Sequence, residues 1–482
     1  MKLKSYFFSI LAIIIMQVSN AQLLKVNESG RYLEDENGKA FLWIGDTAWE
    51  LFHKLNREEA VEYLENRAAK GVSVIQAVVL AENNGLRSPN AYGDLSLQKL
   101  DPTKPNEKYF EHVDFIINKA EELGLVVGLL PTWGDKVYSE NLGEGPIIFN
   151  KKNAEVFGRF LGERYKQKPI VWILGGDRNI ANMEVLEIWR AMAKGLKEGD
   201  DGKHLISFHP RGMSHSAYWL HNEPWLDFNM YQSGHVQHFH HVYTFAEHLS
   251  LLQPRKPFVE GEPAYEDIAL VFWEFMDFGK QSADRVPKGV LDDDGLIVDK
   301  SHFSKGFFDD SDVRVHAYWN FLSGACGYTY GNNAIWQMYK KGGGIAIPCL
   351  YDWRESMDRP GATQLVFLRK ILEARPFDKI VPDQSLIYGL NPEGRSHIRA
   401  AGSSDGSFNL VYLGMGQKAM VNLHKLPNSV MGWWYNPKNG KVKKIGKFPN
   451  KGIKEFVPPS SGVGNDWLLV LDDEKSALPK LD

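Results

Sequence analysis

Between residues 41 and 331 the chain repeats one pattern eight times: a short apolar run, then a polar stretch that is mostly helical in period. The runs are FLWIG (41–45), VSVIQAVVL (72–80), LVVGLLPTW (125–133), PIVWILGG (169–176), HLISFHP (204–210), LDFNMYQ (226–232), KPFVEGE (256–262) and GACGYTYG (324–331). Near-continuous apolar runs of this length suit strands buried on both faces. REEAVEYLENRAAKG and YFEHVDFIINKAEELG lie between runs, carry apolar residues at helical spacing and end on glycine. A parallel strand followed by a helix, repeated in this way, closes as a (β/α)8 TIM barrel. An open doubly wound sheet is the competing closure, but no Gly-rich phosphate loop follows the first run.

At 482 residues the chain is longer than one ordinary domain. Its texture changes near residue 378, where short runs separated by Gly, Asn and Pro replace helical periodicity: SLIYGL, HIRAAGS, FNLVYLG, AMVNLHKL, VMGWWYN, KVKKIG and DWLLVLD. These predict an antiparallel β-sandwich over 378–482, with NPKNGK as a hairpin turn. The barrel is then expected over 22–377. Residues 1–21 read as a signal peptide: Lys2 and Lys4, an apolar stretch from Tyr6 to Met16, and Ser19-Asn20-Ala21 before the cut. The expected location is therefore outside the cytoplasm, periplasmic or secreted. No later run is long and apolar enough to span a bilayer.

A formal charge of −4 supplies no field for nucleic acid. The two cysteines, Cys326 and Cys349, could pair in an exported chain or simply be small core side chains. HVQHFHHVYTFAEH (235–248) holds five histidines, but no matching carboxylate spacing accompanies them and the first strand lacks His-x-His. No metal and no cofactor is expected.

Barrel sites lie at the C-terminal ends of the strands. Collected there are Asp46 and Trp49, Glu82, Trp133, Asp177 with Arg178 and Asn179, His209, Gln232 and His235, Glu260, Glu262 and Tyr265, then Tyr330 and Trp336. Carboxylates, amides and large aromatics without a nucleophilic Ser or Cys suit a sugar: rings stack on aromatic faces, and two carboxyl groups perform general-acid and nucleophilic or base roles. Competing structural readings exist. Asp177 or Asp46 could cap a following helix. Glu260 and Glu262, two apart in a strand, should share one face. The Lys-rich stretch 438–454 could be a protected edge strand or a surface for acidic polysaccharide.

GDTAW, GGDRN, GEPAYE and AYWNFLSGACGYTYGNNAIW resemble, in order, the apiosidase-like barrels of glycoside hydrolase family 140 and its relatives, and WWYNPKNGK with DWLLVLD resembles the collagen-binding-type β-sandwich often attached to them. The resemblance implies a retaining endo-apiosidase acting on side chains of pectic rhamnogalacturonan II. It carries the acid/base to Asp177 in GGDRN and the nucleophile to Glu262 in GEPAYE, with Glu260 the rival; the expected partner is a pectic oligo- or polysaccharide. The alternatives are a glycosidase for another sugar on the same barrel, or a non-catalytic carbohydrate- or matrix-binding protein.

Overall fold

A computed structural model describes residues 23–140, 143, 145–280 and 282–481. The expected signal peptide lies outside the described residues. Eight parallel strands form one curved sheet: β1 (Trp43–Thr47), β2 (Val74–Leu80), β3 (Val126–Thr132), β4 (Ile170–Gly175), β5 (Ile206–His209), β6 (Asn229–Gln232), β7 (Phe258–Glu262) and β8 (Gly327–Tyr330). Their order is β5-β4-β3-β2-β1-β8-β7-β6, with Ser214–His215 added antiparallel to β6. The β5–β6 seam has no ladder. It is stitched instead by Asp227 N–H to the Ile206 carbonyl (2.9 Å) and by Ser207 Oγ to the Phe228 carbonyl (2.9 Å).

Every residue of these strands is buried, which is why each reads as an apolar run rather than an alternation. Val74, Val78, Val126, Leu130, Val171, Ile173, Met230 and Val259 fill the lumen. Ile75, Ala77, Val127, Leu129, Trp172 and Leu174 face the helices. Helices Arg57–Ala69 and Glu107–Glu122 follow β1 and β2 and stop before Gly71 (φ +79°) and Gly124 (φ +72°). Only the four-residue helix Ala217–Leu220 follows β5. Among the described residues no helix is long and apolar enough to cross a membrane. Cys326 and Cys349 are both buried and free.

The C-terminal part is an antiparallel sandwich. Its larger sheet runs Ile380–Pro382, Ile398–Ser403, Phe408–Leu413, Trp467–Asp473, Val430–Tyr435, Val442–Phe448, and its smaller sheet pairs Ala419–Asn422 with Ile453–Phe456. SLIYGL, expected as a strand, begins instead as a 3-10 turn, because Asp383 caps it through Ser385 N–H (3.1 Å). The strand ending in Pro382 was not expected; it lies on the sheet edge, where proline is tolerated. One face of the larger sheet packs on the smaller sheet through Val411, Trp434 and Leu469. The other, with Leu410, Tyr412, Tyr435 and Val470, merges into the barrel's outer core. Tyr412 stacks on Tyr318 (4.7 Å), and Arg314 and Arg375 reach across to Asp466 (2.8 Å) and Asp472 (2.7 Å).

Candidate active site

β4 ends in three successive residues of positive φ: Gly175 (+86°), Gly176 (+109°) and Asp177 (+55°). A Cβ on Gly175 would stand 2.3 Å from the His209 carbonyl oxygen, and one on Gly176 2.8 Å from the Trp133 ring and 2.9 Å from the Gly134 nitrogen. Both positions therefore require glycine. Asp177 pays for its left-handed backbone with strain that its surroundings must hold. Arg178, 3% exposed, donates from Nη1 to the Asp177 carbonyl (2.7 Å). The Arg178 side chain is thus folded under the turn, while that of Asp177 remains 38% exposed. Asp177 does not cap the next helix: that helix starts at Met183, and Asn182 caps it through Val185 N–H (2.9 Å).

Glu262 ends β7. The β6–β7 register pairs Tyr231 with Glu260 and Gln232 with Glu262, leaving Gly261 unopposed. This bulge breaks the two-residue alternation, so Glu260 and Glu262 do not share a face. Glu262 meets two histidines, with Oε2 3.1 Å from His209 Nε2 and Oε1 3.3 Å from His235 Nε2. Each ring is fixed from behind by a backbone donor: Asp177 N–H to His209 Nδ1 (3.4 Å) and Tyr265 N–H to His235 Nδ1 (3.4 Å). A backbone N–H can only donate, so both Nδ1 atoms accept and both protons sit on the Nε2 atoms facing Glu262.

The electrostatics separate the two carboxyls. Burial alone would raise the Glu262 pKa, but the imidazoles of His209 and His235 outweigh it and hold the group well below the usual carboxylate range. Asp177 is raised, first by the protein packed around its carboxyl and then by the negative charge of Glu262; Arg178 and His209 offset this only in part. Glu82, at the end of β2, is raised well above its ordinary value by burial and by Glu50, Asp177 and Asp135. Glu50, not singled out from the sequence, is buried against His53 (2.7 Å) and Asn83 (3.3 Å). Its only sequence signal is its position one residue after Trp49.

Other expected site residues divide into two groups. Trp49, Trp133 and His209 pack together, with centroids 5.2 Å (Trp49–Trp133), 5.3 Å (Trp49–His209) and 5.9 Å (Trp133–His209) apart. Tyr265 lies 4.6 Å from His235, and Trp336 belongs to the same inner cluster as Trp49, Trp133 and Tyr265. Gln232 is paired with Glu262 across the ladder. Asn179 accepts from Arg211 N–H (3.0 Å), tying the loops after β4 and β5.

Asp46, Glu260 and Tyr330 face the helical layer instead, and this corrects the expectation that they line the site. Asp46 is wholly buried against Arg67 and the Tyr63 hydroxyl (3.0 Å), both on helix Arg57–Ala69, so it neither caps a helix nor opens to the barrel mouth. Glu260 takes the Ser233 hydroxyl and lies 3.8 Å from His316 on helix Asp310–Leu322. Tyr330 donates to Glu266 (2.6 Å). Outside the site, His238 pairs with Asp312 (2.9 Å) and His241 accepts from Gly394 N–H (3.1 Å). Among the described residues no group of three His, Cys, Asp or Glu is arranged to hold a metal ion.

A mouth that sets the depressed carboxyl of Glu262 near the raised carboxyls of Asp177 and Glu82, walled by aromatics, suits acid-assisted cleavage of a glycosidic bond. Residues 27–379 match the family model described as "Apiosidase-like, catalytic domain". The chain belongs to the apiosidase-like family. Residues 381–472 match a second model, "Putative collagen-binding domain of a collagenase". A glycoside hydrolase family 5 structure from Bacteroides vulgatus is 32% identical, with a TM-score of 0.80 and 95% of each chain covered. A second structure, titled simply "Glycoside hydrolase", is 34% identical with a TM-score of 0.79 over 95% of this chain and 98% of that one. No curated protein matches. This apiosidase-like chain is a glycoside hydrolase on a TIM barrel.

Proposed function

We propose that the chain is an exported, retaining endo-apiosidase that cleaves apiosyl linkages in side chains of pectic rhamnogalacturonan II. The observation that carries the mechanism is geometric: Glu262 lies between the Nε2 atoms of His209 (3.1 Å) and His235 (3.3 Å), and the same His209 ring accepts from the Asp177 N–H, with the Glu262 carboxyl pulled down and that of Asp177 pushed up. An ionised Glu262 attacks the anomeric carbon while protonated Asp177 gives its proton to the departing oxygen. The products of this step are the released alcohol, a glycosyl ester on Glu262 and an Asp177 carboxylate. That carboxylate then takes a proton from water, whose oxygen attacks the same carbon and frees Glu262 with overall retention. The imidazoles of His209 and His235, with Nε2 atoms 3.1 and 3.3 Å from its oxygens, keep Glu262 ionised and oriented before attack. The family match over 27–379 and the motifs GDTAW, GGDRN and GEPAYE support this substrate class. The N-terminal pattern of residues 1–21 supports export.

The test is product analysis on pectic oligosaccharides, with the anomer first released followed by NMR and Asp177→Asn run in parallel. Release of apiose-terminated fragments with retained configuration is expected. An inverted first product would overturn the nucleophilic role of Glu262; release of a different sugar would move the specificity while leaving the two carboxyls in place.

A further inference from the structure

Residues 438–454 hold seven lysines and no aspartate or glutamate, in a chain whose formal charge is −4. Strand Val442–Phe448 in their midst is the outer edge of the larger sheet, laddered only to Val430–Tyr435. Its register, shifted by a bulge, sets Lys444 opposite Trp433 and Lys447 opposite Met431. Cross-strand partners rise on one face, so these two lysines share the face that elsewhere packs on the barrel. Lys443, opposite Trp434, rises on the other face. The Lys444 ammonium lies 5.7 Å over the Trp433 ring, and that of Lys454 4.5 Å over Phe448, both within cation–π reach. Among the described residues only Lys447 of the seven pairs with a carboxylate, Glu474 at 2.5 Å.

One or two lysines are enough to discourage edge-to-edge pairing; seven, of which Lys447 alone is paired with a carboxylate among the described residues, exceed that need. We propose that this edge is a docking strip for a polysaccharide bearing carboxylates along its length, a polyuronate. Ammonium groups along an extended strand of seven residues, about 20 Å long, match a linear chain that repeats its negative charge. The Trp433 ring holds the Lys444 stem flat against one face of the edge and the Phe448 ring holds the Lys454 stem on the other, so each face of the strip carries apolar surface for sugar C–H groups. A glycoside hydrolase barrel makes a polysaccharide the polyanion this surface meets. The sheet packs on the flank of the barrel through helices Asp310–Leu322 and Pro360–Ala374. The inference rests on charge and topology, independently of which sugar the barrel cleaves.

The experiment compares retention of the full chain on immobilised polygalacturonate, neutral galactan, collagen and DNA at low and high salt. Beside it runs the triple variant Lys443→Gln, Lys444→Gln, Lys447→Gln. Expected are salt-sensitive retention on polygalacturonate, weakened about tenfold or more in the variant, and unchanged melting temperature and unchanged turnover of a small neutral substrate. Equal retention of the variant, equal retention on galactan, or preference for collagen or DNA would each overturn the proposal. Turnover is read separately, so failure of this strip and failure of the proposed hydrolysis are distinct results.

Discussion

Asp177 and Glu262 are joined through a single imidazole: Asp177 N–H donates to His209 Nδ1, and Nε2 of the same ring lies 3.1 Å from Glu262 Oε2. The main chain that places one carboxyl therefore also sets the tautomer that faces the other. Asp177→Asn and Glu262→Gln should each lower kcat by about 10²–10⁴-fold with little change in melting temperature. Near-normal turnover by either variant would remove that residue from the reaction.

Loss of either imidazole should show in the pH profile. Glu262 must be ionised to attack, and His209 and His235 hold its pKa down against burial. In His209→Ala or His235→Ala that pKa rises, so the acidic limb of kcat/KM should move to higher pH. The alkaline limb belongs to Asp177, which must carry its proton and whose pKa the packed protein and Glu262 raise. Activity is lost as pH climbs through that elevated value. An unmoved acidic limb in both histidine variants would contradict this account.

Gly176→Ala should cost about 1–3 kcal/mol from its positive φ alone, with more from a Cβ set 2.8 Å from the Trp133 ring. Because relief of the clash shifts the turn that carries Asp177, kcat should fall further than in Ala substitutions at exposed turn glycines. Denaturant unfolding and steady-state kinetics on the same sample check both effects.

The eight strands were legible because strands buried on both faces leave unbroken apolar runs. Which way each polar strand residue points was not legible. Asp46 directly follows the first of those runs and Tyr330 stands in the last, and only the folded sheet shows that their positions face the helices. Alternation puts Glu260 and Glu262 on one face, with only the GEP motif favouring Glu262; the unopposed Gly261 removes that parity, and a glycine inside a strand is the residue-level sign of such a bulge. Asp177, Glu262, His209 and Tyr265 came from motifs at strand ends, where position alone constrains function. The fixation of the histidines by backbone N–H groups shows only in the folded chain, since neither donor has a side-chain signature.

Glu260 supplies a stability test. Burial pushes its pKa up to about 8, with the Ser233 hydroxyl only partly opposing. A raised folded-state pKa means that its contribution is fully present below the ordinary carboxylate value and is lost as pH rises toward 8. Wild type should lose stability across that window relative to Glu260→Gln. Parallel pH profiles in denaturant titrations would show Glu260 to be ordinary. Asp46→Asn, likewise outside the mouth, should change melting temperature and leave KM unchanged.

Arg314 and Asp466, both buried, link the barrel to the sandwich. Arg314→Met should destabilise the protein by about 3–5 kcal/mol by stranding Asp466, and Arg314→Met with Asp466→Leu should recover much of that loss. Chemical denaturation with probes in each half reads the double-mutant cycle.

Tyr412, Tyr435, Leu468 and Val470 share one apolar cluster with Tyr318, Leu365 and Leu368 of the barrel's own helices. The junction near residue 378 is thus a change of texture with no tether across it. A gene cut there would yield a barrel with a bare greasy flank and a sheet with no backing, so exchange of this module between enzymes has to carry a matched flank with it.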